Sequence, residues 1–229
     1  MLKVIDISNW QKGFDPSTAP VDAVIVKATE GTTFVDPYCD GFVQKAKNAW
    51  KLWGFYHFAG SENATAEADY FVSNCRNYFG EGIPILDWEG NQNVEWVNEF
   101  VRRIHDTTGV WPWIYGNPWR FNQGGVEPNC ARWVASYPAV AHPTFAQAAG
   151  WKCPEANGNV VAWQFCSDGI VNGRELDCSL YYGDAVSWHA YAGTKAAPTP
   201  QPTPQPEKPA KPESVTLEND KYKVTIESK

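Results

Sequence analysis

Residues 83–89 read Ile83-Pro84-Ile85-Leu86-Asp87-Trp88-Glu89, an apolar run that ends in two acids. A run this uniformly apolar indicates a strand buried on both faces, as in a parallel sheet. Because side chains alternate along a strand, Asp87 and Glu89 would share one face with their Cα atoms about 6.6 Å apart. Trp88 would then point away from them, into the packing behind the strand.

Similar β-rich runs recur over the first part of the chain. They predict seven strands and an eighth around Leu176; the seven runs are 4–7, 23–27, 52–58, 83–89, 112–115, 132–137 and 160–165.

Helical patterns separate the early strands and then disappear. Helices are predicted over residues 36–50, from about residue 63, and over 94–109, with Asp36 as the N-cap of the first. After Tyr115 the helical signal fades. Three βα units followed by strands with short irregular connections predict an α/β fold, a single modified, incomplete (β/α) barrel with about eight strands.

The composition of the chain changes near Thr194. Residues 196–212 hold seven of the seventeen prolines, which predicts an extended spacer. The few residues after it cannot build a core of their own. We therefore predict a folded domain over 1–194, a proline-rich C-terminal linker over 195–213 and a short tail over 214–229. The tail is either the remnant of a C-terminal module or a strand that pairs with another chain.

Charge and motif content exclude several classes of function. The 229 residues carry 19 Lys and Arg against 26 Asp and Glu, a net charge of −7 without a basic stripe, so no nucleic acid is expected as a partner. No apolar run reaches the roughly 18 residues of a membrane helix, so no membrane association is expected either. The four His and six Cys lack metal-ligand spacing and no phosphate loop occurs, so we predict neither a metal nor a cofactor.

Acidic residues follow three of the predicted strands. Asp6 ends the first, Asp87 and Glu89 end the fourth, and Asp177 follows the last. Barrel enzymes place their chemistry at the carboxyl ends of the strands. Two carboxylates in one aromatic-rich pocket cannot both ionise cheaply, and a neutral acid beside an ionised one is what glycosidic-bond cleavage requires. The alternative is that these acids simply face water.

The order of motifs along the chain resembles the lysozymes of glycoside hydrolase family 25, the muramidases common among phage endolysins and bacterial autolysins. The likeness runs from residue 3 to about residue 190 and rests on these segments: Asp6-Ile7-Ser8, Lys27-Ala28-Thr29-Glu30-Gly31, Gly54-Phe55-Tyr56-His57-Phe58, residues 84–89, Trp113-Ile114-Tyr115, Trp133-Val134-Ala135-Ser136-Tyr137, Trp163-Gln164-Phe165 and Asp177.

This resemblance implies hydrolysis of the β-1,4 bond between N-acetylmuramic acid and N-acetylglucosamine in bacterial peptidoglycan. Glu89 falls on the family's general acid/base, and Asp6, Asp87 and Asp177 fall on its other active-site acids. The resemblance favours net retention. Three routes stay open: Asp87 as nucleophile, direct attack by water with inversion, or attack by the substrate's own 2-acetamido group with Asp87 orienting it.

Four aromatic residues sit at matching strand ends and are predicted to contact sugar, with core packing as the alternative; they are Tyr56, Tyr115, Tyr137 and Trp163.

Two other functions are alternatives to the muramidase. A family 18-like chitinase also uses an Asp-x-Glu strand end, but its longer Asp-x-x-Asp-x-Asp-x-Glu pattern is missing here. A non-catalytic module that binds cell-wall sugars would not need the four acids.

The first residues lack the apolar segment of a signal peptide. We therefore expect synthesis in the host cytoplasm and action on the cell wall after holin-type or another signal-independent release. In a reducing cytoplasm the six cysteines are expected as free buried thiols, with pairing outside the cell as the alternative. On this interpretation the tail would be the remnant of a cell-wall-binding module.

Overall fold

The computed structural model describes residues 1–60 and 62–194, together with the strand backbones 214–219 and 222–227. The chain divides into two units, Met1–Ala196 and Ala197–Lys229. The predicted linker, 195–213, lies outside the described residues.

Eight strands of the first unit close into a barrel, as the sequence predicts. The strands are β1 Leu2–Ile7, β2 Ala23–Glu30, β4 Leu52–Phe58, β5 Ile83–Asp87, β6 Trp113–Gly116, β7 Arg132–Ala135, β8 Val160–Val171 and β9 Arg174–Tyr181. Their order around the barrel is β1-β9-β8-β7-β6-β5-β4-β2, with β2 pairing back onto β1. All neighbours are parallel except β9, which is antiparallel to both β8 and β1. A short strand, β3 Phe34–Val35, pairs with β2 outside the barrel.

The helical layer is where the barrel is incomplete. The helices are α1 Cys39–Asn48, α2 Ala64–Cys75, α3 Val94–Thr108, α4 Pro118–Asn122, α5 Phe145–Ala148 and α6 Ala185–Ala192. The first three match the predicted helices, and α4 and α5 are short where the helical signal fades. One detail of the prediction is wrong: Tyr38, not Asp36, is the residue at the N-cap of α1. The Asp36 carboxylate instead accepts the backbone N–H groups of Asn9 and Tyr38.

The sheet separates two apolar layers. Its inner face holds residues such as Ile25, Ile85 and Trp113, while its outer face packs on α1, α2 and α3. Helix α6 closes the end of the barrel opposite the carboxyl ends of the parallel strands. There Trp188 is buried, and its indole N–H donates to the Trp53 carbonyl at 3.0 Å.

A tight hairpin reverses the last strand. Asn172 and Gly173 adopt φ of 49° and 75° between β8 and β9, the backbone of a type I′ turn. This reversal makes β9 antiparallel and sets Asp177 directly opposite Asp6 on β1. Cys166 and Cys178 face each other across the same hairpin, and all six cysteines carry free thiols.

The second unit contains an antiparallel hairpin. Strand β10, Ser214–Asn219, pairs with β11, Tyr222–Glu227, so that Ser214 lies opposite Glu227. The sequence predicts a strand in this tail. Its origin as a module remnant stays a prediction.

Candidate active site

A cavity of about 310 Å³ opens at the carboxyl ends of the parallel strands. Its lining is mostly acidic and aromatic and consists of Asp6, Ser8, Trp10, Lys27, Tyr56, Phe58, Asp87, Glu89, Tyr115, Trp133, Tyr137, Gln164 and Asp177. The four acids predicted from the sequence therefore share one cavity.

Two of these acids face each other across a strand pair. Asp6 is 8% exposed, and its Cα is the register partner of Asp177. Like charges placed directly opposite in a sheet destabilise it. Burying this pair of acids therefore lowers the stability of the fold, which indicates that the two acids serve a functional site.

The other two acids differ in their access to water. Asp87 is half-buried, and its Oδ1 is buried without a hydrogen-bond partner in the described part of the chain. Glu89, two residues further on, is exposed at the mouth. Trp88 between them is buried on the outer side and donates its indole N–H to the Gln92 carbonyl at 2.8 Å, as the alternation predicts.

Burial and mutual repulsion make the carboxyl cluster reluctant to ionise. Burial raises the pKa of Asp6 well above its usual range, and Asp177 adds to the effect. Burial and then Glu89 likewise raise the pKa of Asp87. Burial and Glu89 raise the pKa of Asp177 to about 7. These three carboxyl groups therefore favour their neutral forms more strongly than ordinary aspartates do.

One cation lies among these acids. Lys27 on β2 is nearly buried and forms an ion pair with Glu30, with 2.6 Å between Nζ and Oε2. Its ammonium lies 4.8 Å from the ring centre of Phe58. The positive charge opposes the rise in the pKa of Asp87.

Gln164 connects the aromatic wall to the acids. Its Oε1 accepts hydrogen bonds from the hydroxyls of Tyr115 and Tyr137 at 2.7 and 2.5 Å. Its Nε2 donates to Asp6 Oδ2 at 2.9 Å. This single amide therefore orients two tyrosines and one carboxylate, and its hydrogen bond lowers the pKa of Asp6 against the effect of burial.

The loop that carries Glu89 is fixed from a neighbouring helix. Arg120 on α4 donates from Nη2 to the carbonyl oxygens of Glu89 and Gly90 at 2.5 and 2.7 Å. Its guanidinium also lies 5.0 Å from the ring centre of Trp88. The backbone around Glu89 is thus held although the side chain itself faces solvent.

The structure brings three of the four predicted aromatic residues to the cavity, Tyr56, Tyr115 and Tyr137. Trp163, the fourth, is not among the residues that line this cavity. Trp163 is 2% exposed on the outer face of β8, and its indole N–H donates to the Ser136 carbonyl at 2.8 Å. Side-chain alternation points Gln164 inward in its place.

Sequence reasoning missed six residues of the lining, namely Ser8, Trp10, Lys27, Phe58, Trp133 and Gln164. For Lys27 and Gln164 a signal was available, because each is the polar residue within an otherwise apolar strand and such a residue needs a partner. Trp10 lies in a loop where no periodicity applies.

Two further observations concern the described residues. Within the described ranges, no helix is long and apolar enough to cross a membrane. Across the same ranges, no group of three or more His, Cys, Asp or Glu side chains is arranged to hold a metal ion.

An eight-strand α/β barrel with four carboxyl groups around one cavity at its strand ends defines a barrel enzyme of the glycosidase class. Comparison with known proteins agrees. The model of glycosyl hydrolases family 25 matches residues 5–174. The chain therefore belongs to glycosyl hydrolase family 25 and is a glycoside hydrolase, as the sequence motifs predict.

Individual relatives support this assignment. An N,O-diacetylmuramidase of Chalaropsis sp is 31% identical over 169 residues, which cover 63% of this chain and 79% of the relative. Lysozyme M1 of Streptomyces globisporus is 29% identical over 224 residues, covering 84% and 71%. The bacterial lysozyme of Streptomyces coelicolor superposes with a TM-score of 0.70 at 26% identity, covering 84% of this chain and 97% of that one. Neither the chitinase nor the non-catalytic sugar module is favoured by these comparisons.

Proposed function

We propose that this protein is a muramidase, a lysozyme that hydrolyses the β-1,4 bond between N-acetylmuramic acid and N-acetylglucosamine in bacterial peptidoglycan. The observation that carries the proposal is the convergence of Asp6, Asp87, Glu89 and Asp177 on one cavity. Similarity to proteins named muramidase and lysozyme supports the choice of substrate.

Glu89 serves as the general acid and then the general base. It is the cavity acid that stands exposed at the mouth, where a glycosidic oxygen of a bound strand can reach it. In its neutral form this carboxyl can donate a proton. Glu89 gives that proton to the departing oxygen and later removes one from the attacking water, so its protonation state is restored after one turnover.

Asp87 supports the bond-breaking step from the other side. Its buried Oδ1 lacks a partner among the described residues, and an N–H group of the substrate would satisfy it. The 2-acetamido group has such an N–H. With that group oriented, its carbonyl oxygen bonds to the anomeric carbon as the glycosidic bond breaks, and water then opens the cyclic intermediate. Two inversions at one carbon produce net retention.

The product of the reaction tests this proposal. Purified cell walls digested by the protein should yield fragments with muramic acid at the new reducing end, and proton NMR should show the β-anomer first. Digestion of chitin but not of walls would instead indicate a chitinase, and digestion of neither would indicate a sugar-binding module. A covalent sugar adduct trapped on Asp87 would contradict the acetamido route while leaving the muramidase assignment intact.

A further inference from the structure

We propose that Cys166 and Cys178 form a site of reversible oxidation, at which the two thiols close to a disulfide and lock the β8–β9 hairpin behind the active site. The proposed hydrolysis uses no thiol, so this inference goes beyond the proposed function. The bond would form when the protein leaves a reducing environment and meets small-molecule disulfides such as oxidised glutathione.

The backbone places the two cysteines directly opposite each other. Their Cα atoms are register partners in the antiparallel pair of β8 and β9, and such partners lie about 4.5–5.5 Å apart. A disulfide spans this separation. The register of β8 shifts on both sides of Cys166, so Cys166 leaves the inward parity of Gln164 and joins Cys178 in the outer apolar layer.

Gly169 indicates that the two sulfur atoms themselves lie close together. A Cβ added at this glycine would be 2.5 Å from the Cys178 Sγ and 3.1 Å from the Cys166 Sγ. Both sulfur atoms therefore pack against the side of Gly169 that carries no side chain. Glycine inside a strand weakens it and marks a close approach of other atoms, and here the two thiols make that approach.

The two thiols differ in reactivity. A hydrogen bond with Cys178 and the backbone N–H groups of Asp168 and Gly169 lower the pKa of Cys166, although its side chain is buried. Burial raises the pKa of the four cysteines outside this pair. Because the thiolate is the form that attacks a disulfide, Cys166 is the nucleophile of the pair.

The pair lies at the base of an exposed arm. Beyond the two cysteines, Ser167, Ile170 and residues 172–175 face water. An exposed part of a protein opens locally at a lower free energy than the whole fold. Local opening of the arm therefore admits a small disulfide to Cys166 without unfolding of the barrel.

The reaction consists of two thiol–disulfide exchanges. The Cys166 thiolate attacks one sulfur of the small disulfide, whose S–S bond breaks and releases one small thiol. Cys178 then loses its proton and attacks the Cys166 sulfur of the mixed disulfide, which releases the second small thiol. The protein loses two electrons and two protons, and the small disulfide gains them. An excess of small thiol reverses the sequence.

The bond would join the two strands beside the catalytic cavity. Asp177 directly precedes Cys178, and Gln164 lies two residues before Cys166; Asp177 and Gln164 both line the cavity. The hairpin must hold Asp177 opposite Asp6 although the two acids repel each other. A covalent link restricts the unfolded chain and so stabilises the folded hairpin. We therefore expect oxidation to raise the melting temperature.

Peptide mapping of the full chain after incubation with oxidised glutathione tests this assignment. Once the remaining thiols are alkylated, trypsin separates the two cysteines into peptides 153–174 and 175–195, which the proposed bond would hold together. Cys153 lies in the same peptide as Cys166. Cys153→Ser is therefore the matched control, and Cys166→Ser and Cys178→Ser remove the pair.

The linked peptides should appear in the wild type and in Cys153→Ser before any other cross-link, and excess dithiothreitol should separate them. Oxidation should raise the melting temperature of both proteins by roughly 5–10 °C. Neither Cys166→Ser nor Cys178→Ser should show this increase.

Absence of the linked peptides from oxidised wild-type protein overturns the proposal. Their loss in Cys153→Ser also overturns it, because the bond would then belong to Cys153. Cys39 and Cys75 are the other neighbouring pair, and a cross-link that forms there first contradicts the assignment of Cys166 as the nucleophile. The wild-type map needs neither a variant nor an activity, so these results leave the muramidase proposal untouched.

Discussion

The backbone of Glu89 and Gly90 is held by one guanidinium that does not line the catalytic cavity. Arg120 donates to both carbonyl oxygens and lies over Trp88, the residue between the two acids of the strand end. Catalytic groups lose much of their effect when they are displaced by as little as about 1 Å. Arg120 is therefore a positioning residue for Glu89.

Replacing Arg120 by lysine tests this role. Lysine keeps the charge but has no planar fork to bind two carbonyls while stacking on Trp88. We expect kcat to fall roughly ten- to hundredfold, with KM on walls and the melting temperature little changed. Arg103→Lys is the control, because Arg103 makes an exposed ion pair with Asp69 and such pairs contribute little. Wild-type kcat in Arg120→Lys would show that the clamp does not position the acid.

The residues of β8 show which feature of the site could not be predicted from the sequence. The run 160–165 is apolar at almost every position, so its pattern does not reveal which parity faces the barrel interior. Trp163 was predicted as a sugar contact from its place at a strand end, whereas the side chain that faces the interior is that of Gln164. The four acids are easier to predict, because acids at the ends of apolar strands have few structural explanations.

At the scale of elements, two glycines differ in whether their backbone conformation requires glycine. Gly173 closes the β8–β9 hairpin at φ +75°, and an added Cβ would meet nothing within 4 Å, so only its backbone conformation opposes a side chain. Gly41 lies in α1, also with nothing within 4 Å of an added Cβ.

Alanine at these two glycines should change stability in opposite directions. Gly173→Ala should lower the free energy of unfolding by about 1–2 kcal/mol, the cost of the left-handed backbone. Gly41→Ala should raise it by about 0.5–1 kcal/mol, the gain in helix propensity. Urea unfolding of both variants measures this. A Gly173→Ala protein that is as stable as the wild type would contradict the turn assignment.

Long regular elements were predictable and short ones were not. Each barrel strand was expected within a few residues, except that β8 continues well beyond 165 to Val171. The eight-residue helix α6 was not predicted. The two-residue strand β3 and the four- and five-residue helices α5 and α4 were not predicted either. Segments this short have no hydrophobic period of their own and form because the completed barrel fixes their ends.

For the whole molecule, the acid cluster links stability to pH. In the folded protein Asp177 has a pKa of about 7, against about 3.9 for an aspartate in an unfolded chain. Between these values the folded state holds a proton that the unfolded state has released. The associated stability is complete below the lower value and is lost as the pH rises through the upper one. Asp6 acts in the same direction.

The variant Asp177→Asn should therefore flatten the decline in melting temperature between about pH 4 and about pH 7. The asparagine at this position does not titrate. Because it is neutral, it also removes the repulsion that Asp177 exerts on Asp6. Differential scanning calorimetry of the wild type and Asp177→Asn across this range makes the comparison. A slope that is unchanged or steeper in the variant would contradict the raised pKa of Asp177.

The charge of the whole chain predicts how the reaction responds to salt. The protein carries a net charge of −7, and residues 1–194 carry −8. Cell walls also hold anionic polymers, so long-range attraction does not bring enzyme and substrate together. The rate of turbidity clearing of walls should be unchanged or should rise between about 10 and 150 mM salt, as screening removes repulsion. A steep fall over that range would indicate an attractive charge interaction instead.

The central claim is that Glu89 transfers the proton in glycosidic-bond hydrolysis, and the reducing-sugar release rate of Glu89→Gln on purified walls tests it most directly. Glutamine keeps the shape of the side chain but cannot donate that proton. The rate should fall roughly 10²- to 10⁴-fold, while Glu155→Gln, a change at an exposed loop acid, should retain the wild-type rate. A Glu89→Gln protein that releases reducing sugar at near wild-type rate would contradict the assignment.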